Sequence, residues 1–154
     1  MISQTAEYAL RAVVFLSEAK DGGKTTEQIS KATQIPNAYL SKVLQQLSRA
    51  SIVQSQRGLG GGFTLKKRPD KLTVLEVVNA VEPIKRIKEC PLGLDAHAIR
   101  LCALHRRLDE ASALVERAFA ETTIAEVLTD PTKGNVYTFP FQSNETPSSK
   151  RRKP

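Results

Sequence analysis

Gln56-Arg57-Gly58-Leu59-Gly60-Gly61-Gly62-Phe63-Thr64-Leu65 is the stretch on which the reading of this chain turns. Short β-prone runs flank a glycine-dense turn. Glycine accepts positive φ and lets backbone approach another surface closely. Upstream, two short helices are expected, the second over about residues 37–48. Two helices followed by a hairpin with a basic, glycine-rich tip is the layout of a winged helix-turn-helix. There the second helix enters the DNA major groove, and the hairpin reaches adjacent backbone or minor groove. The fold class expected is mainly α with one small β-hairpin (α+β), extended by a long helix.

The flanking pattern supports that layout. Ala9, Ala12, Val13 and Leu16 share one face of a helix over residues 4–19, and Asp21-Gly22-Gly23 ends it. Thr25 with Gln28 reads as a capping box for a short helix carrying Ile29 and Ala32. Pro36 breaks the chain, and Asn37 is an N-cap candidate for the next helix. In that helix Leu40, Val43, Leu44 and Leu47 form the apolar stripe. Ala38, Ser41, Lys42, Gln45 and Arg49 lie opposite. A strand over 52–56, the turn, and a strand over 63–65 follow, then the basic loop Lys66-Lys67-Arg68-Pro69-Asp70. Thr73 with Glu76, and Thr123 with Glu126, open two further short helices by the same capping pattern. Residues 83–100 read as irregular.

Between them a long helix is expected over about residues 101–121. Leu104, Leu108, Ala111, Val115 and Ala118 recur in it at heptad-like spacing, with Leu101 and Phe119 close by. Such a stripe packs either on its own domain or on a second copy. The second suits a dimer that reads a palindromic site. The expected organisation is therefore a DNA-binding unit over 1–82, a sensor-type loop over 83–105, a dimerisation helix with a closing short helix over 101–128, and a disordered basic tail over 129–154.

Charge placement points to a polyanion. The net charge is +7 over 154 residues. Residues 40–71 hold seven basic residues and one acidic one, and Lys150-Arg151-Arg152-Lys153 adds +4, leaving −3 for everything else. The positive charge thus gathers on the expected recognition helix and wing. No apolar run is long enough to span a bilayer, and no basic n-region precedes an apolar h-region. With two cysteines in the sequence, the expected compartment is the cytoplasm, with the chain associated with the nucleoid and its thiols reduced. No glycine-rich phosphate loop opens a helix and no nucleophile motif is present, so an enzyme is not expected.

The succession Glu7-Tyr8-Ala9-Leu10-Arg11, Ile35-Pro36-Asn37-Ala38-Tyr39-Leu40 and Arg57-Gly58-Leu59-Gly60-Gly61-Gly62-Phe63 resembles the bacterial winged-helix regulators of the iron–sulfur-cluster regulator and nitric-oxide-sensitive repressor type (IscR/NsrR). The resemblance covers about residues 1–128. It implies a homodimeric transcription regulator, most simply a repressor, on palindromic double-stranded DNA. It places DNA contacts on Ala38, Tyr39, Ser41 and Lys42 and on the wing residues Arg57, Gly58, Leu59 and Gly60, with Ser3 and Gln4 near phosphates. Lys42 suits a phosphate or a guanine edge, and Arg57 a narrow, electronegative minor groove. Tyr39 reads either as a DNA contact or as core at the helix start.

The resemblance also implies a sensor. Cluster-binding relatives present three spaced cysteines and sometimes a histidine. Here Cys90, Cys102 and His105 match, but the middle position is Ala96, with His97 beside it. Three readings fit. Cys90 and Cys102 hold a 2Fe–2S cluster, completed by His105 or His97 and by Glu7, which matches an acidic ligand that some relatives draw from the partner's first helix. Alternatively the two cysteines form a thiol switch. Or they are small apolar residues of a lost sensor. A four-ligand structural zinc site does not match this spacing.

Overall fold

The computed structural model describes residues 2–19, 22–90 and 101–129. Helix α1 spans Gln4–Glu18, α2 Thr26–Thr33 and α3 Asn37–Arg49. Strands β1 (Val53–Gln56) and β2 (Gly62–Leu65) pair antiparallel, with Val53 opposite Leu65 and Gln56 opposite Gly62. A 3-10 turn over Pro69–Lys71 leads into α4 (Val74–Val81), then come α5 (Ala103–Glu121) and α6 (Ile124–Leu128). This is the winged helix-turn-helix expected from the hairpin, carrying an added long helix.

One core serves the whole unit. Ala9, Ala12 and Val13 of α1 meet Leu40, Leu44 and Leu47 of α3, Ile52 and Val53 at the start of β1, and Val77 of α4, all buried. Each of those leucines contributes about 1.5–3 kcal/mol by leaving water. Ile29 and Ile35 hold α2 and the following turn to the same core. Gln34, in left-handed conformation at φ 57°, reverses the chain between α2 and α3.

All three capping boxes form. Thr25, Thr73 and Thr123 each accept from the amide three residues on, and Gln28, Glu76 and Glu126 return the bond to the capping residue's backbone. Two of these boxes sit side by side. Thr73 and Thr123 make a β-bridge, with the Val74 amide donating to Thr122 O (2.9 Å) and the Ile124 amide donating to Leu72 O (2.8 Å). Ile124 is thereby seated in the core, and the chain returns to the winged unit after α5.

Two local expectations are corrected. Asn37 is the first helical residue of α3 and not its cap: Pro36 occupies that position, and no side chain caps the helix. The extended Pro36 (ψ 133°) instead offers its carbonyl to the Tyr39 and Leu40 amides, both at 3.0 Å. The long helix begins at Ala103, two residues later than its periodicity suggested, because Cys102 is extended (ψ 164°). The expected basic tail, from residue 130 on, lies outside the described residues, as do Ala96 and His97.

Candidate nucleic-acid interface and thiol site

Helix α3 is held by its buried stripe Leu40, Val43, Leu44 and Leu47, so its other face is turned outward by geometry alone. Ala38, Tyr39, Ser41 and Lys42 are all exposed there. Ser41 Oγ donates to Asn37 O at 2.9 Å within the helix. Tyr39 is 59% exposed and is not core. Its ring meets Tyr8 edge-on at 6.4 Å between centroids. Arg11 stands 5.9 Å from the Tyr8 ring and donates to Thr33 O at 3.2 Å, tying α1 to the end of α2.

The wing turn is closed by the Gly61 amide donating to Gly58 O at 2.9 Å. Gly58, Gly60 and Gly62 take φ of +98°, +74° and +135°, in the left-handed region that favours glycine. Arg57 enters this turn exposed, and Leu59 projects fully into solvent. Of the N-terminal pair, Gln4 is exposed, while Ser3 caps α1, its Oγ accepting from the Ala6 amide at 3.2 Å. The basic loop behind the wing is partly neutralised. Lys67 pairs with Glu76, and Arg68 forks onto Asp70 at 2.9 Å on both oxygens. Among the described residues Lys42 and Arg57 have no carboxylate within ion-pair distance.

A second locus forms where the connection after α4 meets α5. Cys102 Sγ lies 3.3 Å and Cys90 Sγ 3.8 Å from His105 Nδ1. All three are half-buried, and neither cysteine is in a disulfide. His105 thus contacts both thiols rather than pointing to solvent. The connection is fastened to α5 by Arg86, which forks onto Asp109 (2.7 Å to each oxygen) and reaches Glu116 at 3.1 Å. The Ile87 amide also donates to Asp109, at 2.9 Å. Arg86 holds the Asp109 carboxyl at about 2, below its usual 3.8. The charged pair likewise pushes the Arg86 guanidinium above its ordinary value. Sequence reading missed this fastening: its partners are 22 to 30 residues apart and follow no local pattern.

Among the described residues the donors that converge here do not fill an iron–sulfur cluster within one chain. A 2Fe–2S centre takes four protein ligands, and two thiols and one imidazole converge here. Glu7, the further ligand that the resemblance implied, is paired with Arg11 of its own chain, at 2.8 Å from Arg11 Nε. Among the described residues no group of three or more His, Cys, Asp or Glu is arranged to hold a metal ion.

Helix α5 has no buried residue. Leu104 and Leu114 are each 65% exposed, Leu108 is 49% and Val115 43% exposed, and Ala111 and Ala118 are exposed too. Among the described residues, therefore, nothing of the chain's own domain covers the heptad-like stripe. No helix of the described residues is long and apolar enough to cross a membrane.

Comparison with known proteins places this architecture. The family model Rrf2, described as an iron-dependent transcriptional regulator, matches residues 2–130. The chain is 30% identical over 132 residues to the HTH-type transcriptional regulator NsrR of Geobacillus kaustophilus, a match covering 84% of this chain and 90% of that protein. Among solved structures it resembles CymR (YrzC), the global cysteine regulator of B. subtilis, with TM-score 0.67, 22% identity, and coverage of 82% of this chain and 95% of that one. It also resembles T. potens IscR, with TM-score 0.69, 20% identity, and coverage of 85% and 88%. Family model and relative agree: the chain belongs to the Rrf2 family of transcriptional regulators and is not an enzyme.

Proposed function

We propose that this chain is a homodimeric repressor that binds palindromic operators in the cytoplasm, at the nucleoid, and answers to oxidation at Cys90 and Cys102. The observation that carries the DNA-binding half is the outward face of α3, with Lys42 unpaired, standing beside an exposed Arg57 on a glycine-shaped tip. Ala38, Tyr39, Ser41 and Lys42 would read the major groove. Arg57, Gly58, Leu59 and Gly60 would reach the minor groove. Gln4 serves phosphate from its side chain, and Ser3 only from the uncovered rim of a hydroxyl already capping α1. The uncapped start of α3 leaves backbone amides for phosphate as well.

Dimerisation is supported by the exposed stripe of α5. Two copies joined there would present two recognition helices to half-sites about 34–36 Å apart, or a multiple of that, and this spacing tolerates little change.

The sensing half rests on His105 Nδ1 lying within contact of both thiols. An imidazole nitrogen in that place can take a thiol proton, leaving a thiolate as nucleophile. With a peroxide as oxidant, that sulfur attacks the O–O bond and becomes a sulfenic acid. The second sulfur then displaces hydroxide. Two thiols and one hydrogen peroxide give one disulfide and two waters. Because Arg86 ties the same connection to α5, drawing Cys90 toward Cys102 would move the long helix and α1 against the wing.

Duplexes selected from a randomised pool by the dimer test the first half; palindromic half-sites are expected, and no enrichment over bulk DNA would overturn it. For the second half, affinity is compared before and after peroxide, with Cys90→Ala/Cys102→Ala as control. Unchanged affinity in the parent protein would remove the thiol reading. About two iron and two sulfide per chain after oxygen-free purification would replace it with a cluster, completed by Glu7 of the partner subunit or by His97.

A further inference from the structure

The wing has a third segment bridged to its edge that the hairpin pattern does not announce. Lys24, between α1 and α2, bridges antiparallel to Phe63 on the outer edge of β2. Its amide donates to Phe63 O at 3.0 Å, and the Phe63 amide donates back to Lys24 O at 2.8 Å. One residue earlier, the Gly23 amide donates to Gly60 O at 3.3 Å. A Cβ on Gly62 would stand 2.5 Å from the Lys24 carbonyl carbon, and one on Gly23 would stand 3.0 Å from Gly62 backbone. Gly22–Lys24 and the wing tip are therefore one packed unit. The capping box at Thr25 and Gln28 fixes where α2 departs from it.

Charge pairing separates Lys24 from Lys67 and Arg68 behind the wing. Lys67 and Arg68 are engaged by Glu76 and Asp70. Among the described residues Lys24 has no carboxylate within ion-pair distance, and it is half-buried. We infer that Lys24 is a backbone-phosphate contact of the DNA complex, carried by the segment bridged to the wing's flank. The inference rests on the DNA-binding reading above. A wing that reaches the minor groove must cross the sugar–phosphate backbone, and the segment bonded to its flank is brought beside that backbone. Phosphate contacts set position and affinity without reading sequence. A lysine on an edge strand can also serve only to discourage edge-to-edge pairing. That role would leave DNA affinity untouched.

The test uses the full chain, a selected palindromic duplex of roughly 30 base pairs, long enough for two half-sites, and a scrambled duplex of equal length. Affinity is followed by fluorescence anisotropy between about 50 and 200 mM salt. Lys24→Gln keeps a shortened, uncharged polar side chain and removes the charge. It is expected to weaken binding to both duplexes by a similar factor and to make the log–log salt slope shallower by about one per chain. Lys24→Arg is expected to keep the parent slope. If Lys24→Gln binds like the parent while Lys42→Ala and Arg57→Ala bind weakly, Lys24 is an edge guard and the inference falls, the DNA surface standing. If Lys24→Gln and Lys24→Arg weaken binding alike with the slope unchanged, the role is structural and the inference falls too. If none of the four variants changes binding, the DNA surface falls with it.

Discussion

Gly58 and Gly62 lie in one turn and both have positive φ, but only one is confined by neighbours. A Cβ on Gly58 would meet nothing within 4 Å, whereas one on Gly62 would meet Lys24 backbone at 2.5 to 2.9 Å. Gly62→Ala therefore forces the Lys24 segment off the wing as well as holding alanine at φ +135°, and is expected to cost more than the ~1–3 kcal/mol of backbone strain alone. Gly58→Ala should cost that strain and no more. Thermal melts of the two variants check the order; equal losses would show that packing against Lys24 contributes nothing. At the residues proposed to face DNA the expectation concerns affinity. Lys42→Ala and Arg57→Ala should each weaken duplex binding, with Arg57→Ala also relaxing preference for narrow-groove A·T sequence. Parent-like binding of both would displace the surface proposed for DNA.

Among the elements, the connection over residues 82–90 is regular nowhere and yet is anchored. Arg86 and the Ile87 amide both end on Asp109 of α5. The folded carboxyl titrates at about 2, against an ordinary 3.8. A lowered carboxyl stabilises the fold fully above its ordinary value, and that contribution is lost as pH falls through about 2. Relative to an unstructured amide at the same pH, exchange of the Ile87 amide should accordingly be slow at pH 5 to 7 and quicken below about pH 4. Asp109→Asn should make it fast throughout and speed tryptic cleavage after Lys85 and Lys88. Unaltered cleavage would mean that the connection is held elsewhere. The short helix α4 depends instead on its start. Thr73→Ala removes the hydroxyl that accepts from the Glu76 amide and should lower stability by ~1 kcal/mol, measurable by urea denaturation.

At the scale of the molecule, the proposed dimer rests on the exposed stripe of α5. Leu104 and Leu108 point away from the chain's own core, so Leu104→Lys with Leu108→Lys should leave the monomer's melt little changed while shifting sedimentation from dimer toward monomer. A collapsed melt with the dimer intact would place these leucines in the fold of one chain instead. Loss of the dimer should also weaken palindrome binding far more than binding to a single half-site.

Much of this protein was legible in the sequence because it is governed by local rules. The helix faces followed from apolar periodicity, the three capped helix starts from Thr-x-x-Gln/Glu spacing, and the hairpin from its glycine-dense turn, each a matter of residues within a few positions of one another. The outward face of α3 was legible for the same reason: burying Leu40, Val43, Leu44 and Leu47 leaves Ala38, Ser41 and Lys42 outside. Tyr39, read two ways from sequence, was settled as exposed only by its place at the uncapped end of α3. The meeting of Cys90 with Cys102 at His105, the Arg86–Asp109 anchor and the pairing of Lys24 with Phe63 span 15, 23 and 39 positions. Side chains that far apart carry no mutual signal along one chain. Only the packing of α1, α4 and α5 around a common core brings them within bonding distance.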